Sequence, residues 1–220
     1  MDLNESYSTI YRDEIGEVKT TLHNDGELFR MTVRGVTFTS SELDGLEPSI
    51  PLDHPQLEQF TLANGAICNY EIEFDLSLIT VVDTKPVHSN LHVHLTLGTP
   101  IPTRGIESEY LQLRLDCENQ SYSSCGEHGW FDDEMSEIEA ALPENIYMKC
   151  CHTCAFSDYH PAGYGVIGGL CCFRDNKQGY LQAKTKFELL RIWDTRTEFV
   201  QETYLCPEYE KRKPGTGYRG

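Results

Sequence analysis

Six cysteines crowd into the last third of this chain, Cys150, Cys151, Cys154, Cys171, Cys172 and Cys206, and no other residues in it are as well placed for chemistry. Cys151-His152-Thr153-Cys154 has the C-x-x-C spacing at which a tight turn aims two thiolates at one tetrahedral ion. Two more ligands must then come from elsewhere. Cys171-Cys172 follows a stretch containing Gly163, Gly165, Gly168 and Gly169 and heads a strand-like run, while Cys206-Pro207 closes another. Soft sulfur ligands favour zinc, which brings no redox chemistry of its own. The expected cofactor is Zn2+ on Cys151, Cys154, Cys172 and Cys206, with the choice inside the pairs Cys150/Cys151 and Cys171/Cys172 left open by spacing alone. A closed four-thiolate site is structural, because catalytic zinc keeps a position open for water. Such a site ties its segments together, and in small zinc peptides the binding supplies ~10 kcal/mol or more of folding free energy. Two readings compete with it: buried thiols without metal, and a thiol redox sensor using Cys151 and Cys154. Redox motifs of the thioredoxin type want a long helix directly after the C-x-x-C, and nothing after Cys154 reads as one. His152 and His160 are reserve ligands that read as surface or turn residues.

Other candidate chemistry is weaker. His92-Val93-His94 puts two imidazoles on one face of a strand, with His88 close in sequence, an arrangement similar to the metal motif of cupin-like barrels. The similarity ends where a cupin carries its glutamate, at the positions occupied here by Gly98 and Thr99. A metal-dependent hydrolase using His92 and His94, with His88 or Glu107, is the enzymatic alternative; same-face histidines on a half-exposed sheet are otherwise ordinary surface residues. Cys125-Gly126-Glu127-His128 offers a thiol and an imidazole beside the start of a helix. Catalytic Cys and His usually come from separate segments, and these two are too close in sequence. The glycines from Gly163 to Gly169 are not a phosphate loop, since no Lys-Ser/Thr follows them. Arg174, Lys177 and Arg219 could form a small anion patch if the tail folds back on the Cys172 strand.

Positioning these groups falls to a β-rich framework. A chain of 220 residues buries a sizeable core without staples. Glu17 to Arg34 alternates polar and apolar residues around Asn24-Asp25-Gly26, a hairpin signal, and Gly35 to Ser40 predicts a further strand. Leu43 to Pro55, with Gly45, Pro48 and Pro51, reads as an irregular connection. Ile67 to Val82, Leu91 to Leu97 and Tyr110 to Leu115 predict more strands, broken by Pro86, Pro100 and Pro102. One clear amphipathic helix is predicted from Phe131 to Leu142, where Phe131, Met135, Ile138 and Leu142 make an apolar stripe and Pro143 stops it. Asp132, Asp133 and Glu134 complement the positive helix N-terminus. Strand-like runs resume at Tyr147 to Lys149, Tyr180 to Trp193 and Glu198 to Leu205, and Lys211 to Gly220 reads as irregular. The expected fold class is α+β, mostly antiparallel β, with a zinc-stabilised C-terminal region. Its expected division is an acidic β-rich region over residues 1–112 and a cysteine-rich α+β region over 113–220, able to pack as one unit.

Charge is unevenly placed. Residues 1–149 carry 27 Asp and Glu against 8 Lys and Arg, a balance of −19, while residues 150–220 carry 8 against 10, a balance of +2. The net charge of −17 repels nucleic acid and anionic membranes and steers a basic protein partner. Lys211-Arg212-Lys213 is too short to reverse this, and a salt-bridge role with the acidic part suits it better. Met1 to Ser6 lacks the basic start and apolar run of a signal peptide, and no run approaches the roughly 18 apolar residues of a membrane helix. A cytoplasmic location is expected, in which nine cysteines are not assumed to pair as disulfides.

Several motifs together resemble one bacterial family. They are Cys150-Cys151-His152-Thr153-Cys154-Ala155-Phe156-Ser157-Asp158-Tyr159, Cys172-Phe173-Arg174-Asp175-Asn176-Lys177, Val200-Gln201-Glu202-Thr203-Tyr204-Leu205-Cys206-Pro207-Glu208-Tyr209 and Pro214-Gly215-Thr216-Gly217-Tyr218-Arg219-Gly220. The family is uncharacterised and of unknown function. The resemblance covers residues 113–220, including Gly126 to Pro143, and leaves 1–112 as a more individual region. It implies a bacterial origin and supplies no activity and no catalytic residue. The reading that results is a non-enzymatic, zinc-binding protein with a protein partner, a basic one on the charge argument, as an immunity protein has in a basic toxin. Nothing in the sequence sets an oligomeric state.

Overall fold

Alternating apolar and polar side chains in the N-terminal half build one antiparallel sheet. The structure, a computed structural model, describes residues 5–25, 28–102, 105–163, 167 and 169–219. Gly26 of the expected hairpin turn, Gly165 and Gly168 of the glycine stretch, and Gly220 lie outside the described residues. The strands are β1 (Glu5–Asp13), β2 (Gly16–Asn24), β3 (Phe29–Val33), β4 (Val36–Ser40), β5 (Glu47–Pro48), β6 (Thr61–Ala63), β7 (Ala66–Cys68), β8 (Tyr70–Val82), β9 (Lys85–Leu97), β10 (Glu109–Cys117) and β11 (Gln120–Ser123). Helix α1 (Phe131–Ala141) follows, then β12 (Ile146–Lys149), β13 (Ser157–Asp158), β14 (Leu170–Cys172), α2 (Lys177–Gln182), α3 (Lys186–Arg191) and β15 (Glu198–Val200).

The main sheet runs β11-β10-β9-β8-β1-β2-β3-β4-β5, and its pairings are antiparallel. Its spine is the hairpin β8–β9, in register from Tyr70 opposite Leu97 to Val82 opposite Lys85. Only Asp83 and Thr84 join the two, and Asp83 takes φ +58, a left-handed conformation that Asp tolerates better than most residues. The far edge of β8 is shared. β1 pairs its first half, with Arg12 opposite Glu71, and β12 pairs its end, with Lys149 opposite Ile79. That second pairing delivers the chain to the sheet just before Cys150.

Ile72, Phe74, Leu76 and Leu78 of β8, Leu91 to Leu97 at alternate positions of β9, and Leu111, Leu113 and Leu115 of β10 are buried on one face. Helix α1 closes that face with Phe131, Met135 and Ile138, all within 1 % of complete burial. Each such side chain contributes roughly 1.5–3 kcal/mol by leaving water. The core is continuous from Tyr7 to Ile167, and β10 runs across the 112/113 position. The second sheet, β13-β14-β15, is short and antiparallel, with Ser157 opposite Cys172 and Cys172 opposite Glu198.

The fold class is α+β and mostly antiparallel β, as expected, with four departures in detail. Tyr180 to Trp193 is not a strand but α2 and α3. Asn176 caps α2 through Gly179 N–H, and Thr185 with Glu188 forms a complete capping box on α3, so local hydrogen bonds outweigh the aromatic content that suggested β. Glu198 to Leu205 is strand only as far as Val200. Pro86 does not break a strand; it is the second residue of β9, opposite Val81, near a strand start where its missing N–H is tolerated. β1, a central strand, has no counterpart in the sequence reading.

Candidate metal centre

Cys151 and Cys154 bracket one tight turn leaving β12, with Cys154 N–H donating to Cys151 O (3.1 Å). Cys172 ends β14, whose neighbour β13 starts just after that turn. Cys206 lies on the return from β15, clamped there because Cys151 N–H donates to Tyr204 O (2.8 Å) and His152 N–H to Glu202 O (2.8 Å). All four thiols are buried, with Cys206 the most exposed at 5 %. Cys151, Cys172 and Cys206 share an apolar cluster with Tyr159, Leu170 and Val200, while Cys154 packs in the adjoining cluster of Phe156, Phe173 and Tyr180.

Electrostatics reports their proximity. Burial pushes the Cys151 thiol far above the ordinary thiol range, and Cys154, Cys150, Cys172 and Cys206 raise it further. Burial also raises Cys172, with Cys206 and Cys154 adding to it and Arg174 opposing. Two thiols have a backbone donor two residues on: Glu208 N–H points at Cys206 Sγ (3.4 Å) and Arg174 N–H at Cys172. Cys151, Cys172 and Cys206 share one buried cluster, while Cys154, on the same turn as Cys151, lies in the adjoining cluster together with Cys171. Cys150 belongs to the main core, its thiol pushed up to about 11 by burial. Cys171, pushed to about 12 by burial, points to the opposite side of β14 from Cys172, as adjacent strand residues do. The quartet is a looser association than two other sets of ligand-type side chains, Cys125/His128/Glu134 and Glu71/Glu73/His94, whose donor atoms all lie within 4.8 Å of one another.

A buried polar network surrounds the quartet, and its membership was not read from the sequence. Arg212 donates to Tyr180 Oη (3.0 Å), Cys154 O (2.8 Å) and Ser157 O (2.5 Å), so the tail grips the backbone of the C-x-x-C turn. Ala155 N–H and Glu210 O, then Arg212 N–H and Thr153 O, continue this pairing. Arg219 donates to His152 O (3.0 Å) and Nδ1 (2.8 Å) and meets Asp132 at the start of α1. His152 is fully enclosed; burial first, then Arg219 and Arg212, hold its pKa well below the usual imidazole value, so it is neutral. Burial raises Asp132 and Asp158 against the pull of these arginines. The expected anion patch does not form. Arg174 pairs with Glu198 (2.5 Å), Lys177 with Glu208 and Glu210 (3.2 and 3.3 Å), and Arg219 with Asp132, each cation meeting a carboxylate of its own.

His92 and His94 share the solvent-facing side of β9. His92 Nδ1 lies 2.9 Å from Asp75 and His94 Nε2 3.4 Å from Glu71. Arg12 already sits among these acids, 3.1 Å from Glu71 and 2.6 Å from Glu73, and offsets part of their charge. His88 stands further along β9 opposite Ile79, and Glu107 accepts from Thr99 in the following connection. Cys125 and His128 are exposed on the loop before α1. The Glu127 backbone favours the Cys125 thiolate, but Glu137 and Glu134 with desolvation outweigh it and raise the thiol, the opposite of an activated nucleophile.

A β-rich α+β fold with a buried thiol quartet beside its main sheet is therefore the class of protein in hand. The chain belongs to the family described as a family of unknown function, DUF6304, whose model matches residues 5–157. The match takes in the N-terminal region that had looked individual, and it holds Cys151 and Cys154 while Cys172 and Cys206 lie beyond it. No curated protein and no solved structure matches the chain. Among the described residues no helix is long and apolar enough to cross a membrane.

Proposed function

We propose that this is a non-enzymatic binding protein whose C-terminal region is held by one structural Zn2+ on Cys151, Cys154, Cys172 and Cys206. The observation that carries the reading is that Cys172 and Cys206, from segments 21 and 55 residues away, are buried in one cluster with Cys151, whose turn also ends at Cys154. Four buried thiolates without a cation are electrostatically prohibitive, whereas a divalent ion offsets their charge and draws the sulfurs inward. A closed thiolate set leaves no place for substrate, which favours a scaffold over a catalyst.

The partner proposed is a basic protein, met through the acidic N-terminal part of a chain carrying −17 overall. The test is elemental analysis of protein purified without a metal-affinity step. The expected result is that Cys151→Ser and Cys206→Ser each carry one equivalent of zinc less than wild type. Full zinc retained by both variants overturns the quartet. The partner arm is tested by the salt dependence of capture, which an acidic interface requires and an apolar one does not.

A further inference from the structure

We propose that Cys125, His128 and Glu134 form a separate site for one borderline-soft divalent cation, Zn2+ in the first instance, with a coordination position left open. One donor atom from each of the three side chains lies within 4.8 Å of the others. Cys125 and His128 are spaced C-x-x-H on the loop between β11 and α1, and Glu134 comes from the first turn of α1.

The loop is built to hold this arrangement. Gly126 turns the chain at φ +79, and a Cβ there would run into the Tyr110 ring. Glu134 is completely buried, and its carboxylate accepts the backbone N–H groups of Gly126 (3.0 Å) and His128 (2.9 Å). A carboxylate oxygen keeps a second lone pair after one such bond, so both oxygens can still face a cation. One turn further along α1, Glu137 accepts Cys125 N–H (2.9 Å) and stands 3.7 Å from His128 Nε2. Two carboxylates on successive turns of one helix thus fasten both ligand-bearing ends of the loop.

The donor set selects the ion. A thiolate and an imidazole favour zinc over magnesium or calcium, which prefer oxygen. Three protein ligands leave one position for water, as in zinc sites that react rather than brace, and Cys125 and His128 are exposed to solvent. Glu71/Glu73/His94 differs in already having a guanidinium, Arg12, bound to both of its carboxylates. Among the described residues no Lys or Arg lies within 4.0 Å of Glu134 or Glu137, and His128 is the cation-forming neighbour of Glu137.

The site shares no residue with the quartet, so the two can fail separately. The test is equilibrium dialysis of the full chain against Zn2+ with elemental analysis, comparing wild type with Cys125→Ser, His128→Ala and Cys151→Ser. Both loop variants remove exposed side chains and keep every carboxylate, so nonspecific binding to acidic surface stays the same. The expected result is loss of one equivalent of zinc in each loop variant, with unchanged circular dichroism, and retention of that equivalent in Cys151→Ser. If the loop variants bind as much zinc as wild type, the site does not exist, whatever Cys151→Ser does. A spectroscopic arm uses Co2+ in the Cys151→Ser background: a thiolate-to-metal charge-transfer band that loses intensity in Cys125→Ser supports the site, and a band of unchanged intensity, or no band, overturns it.

Discussion

The main sheet and the cysteine-rich end of the molecule are held by different forces. β8 and β9 are 13 residues each, long enough for strict alternation to press a row of apolar side chains into one continuous core. After β12, strands shrink to two or three residues and helices to six. Elements that short bury only two small clusters, and the space between them is filled by thiols, arginines, buried carboxyls and backbone bonds to the tail. The difference teaches that sequence regularity and cohesion go together: a region without long apolar faces must be joined by specific directional contacts, and a metal is the strongest of these.

The largest effect expected from breaking the comparison is metal loss. Chelation, or Cys151→Ser with Cys206→Ser, removes stabilisation on the order of 10 kcal/mol from the C-terminal region alone. Hydrogen exchange should then show residues 150–219 unprotected while amides of β8, β9 and β10 stay protected; uniform loss of protection would show that the two regions share one fate. The converse change, Phe131→Ala at the closed face of the main core, costs about 4 kcal/mol in urea unfolding and leaves zinc content intact.

Arg219→Gln probes the polar network that links the two. It leaves Asp132 and neutral His152 without their shared donor, and truncating one side of a buried pair costs about 3 kcal/mol. Thermal unfolding followed at α1 and at the tail should move together if this contact joins them. Replacing both His92 and His94 with Ala is expected to change stability by less than about 0.5 kcal/mol and leave metal content unchanged; a lost ion would revive the enzymatic alternative.

The smallest effect is a pH slope. Burial, then Asp44, pushes the Glu109 carboxyl from the ordinary range up to about 7. The native state therefore holds this proton more tightly than the unfolded chain does. Its contribution is present below the ordinary carboxylate value and is lost as pH rises to about 7. Glu109 is exposed at the edge of its strand, so solvent screening keeps the slope shallow. Urea midpoints of Glu109→Gln should lack the slope that wild type shows across that window.

Legibility followed length. Residues 131–142 were readable as a helix because an apolar stripe, an acidic first turn and Pro143 agree, and the β8–β9 hairpin because its alternation is long. β1 was missed because Tyr7, Thr9 and Tyr11, its buried side, are polar-tipped residues that do not mark an apolar face. The helices at 177–191 are short, and the signal for the second of them is the capping box spelled by Thr185-Lys186-Phe187-Glu188 rather than an apolar stripe.

The candidate site divides in the same way. The sequence by itself determined that thiols recur at a metal-binding spacing, that the chain is mostly antiparallel β, and that charge collects in its first 149 residues. These are properties of neighbours along the chain, and short-range rules read them. Only the tertiary structure decided that Cys172 and Cys206 share a buried cluster with Cys151 while Cys150 joins the main core, and that Arg212 and Arg219 come back to the C-x-x-C turn. Those contacts join residues from about twenty to more than sixty positions apart, and loops close such distances through packing and hydrogen bonds that no local pattern encodes.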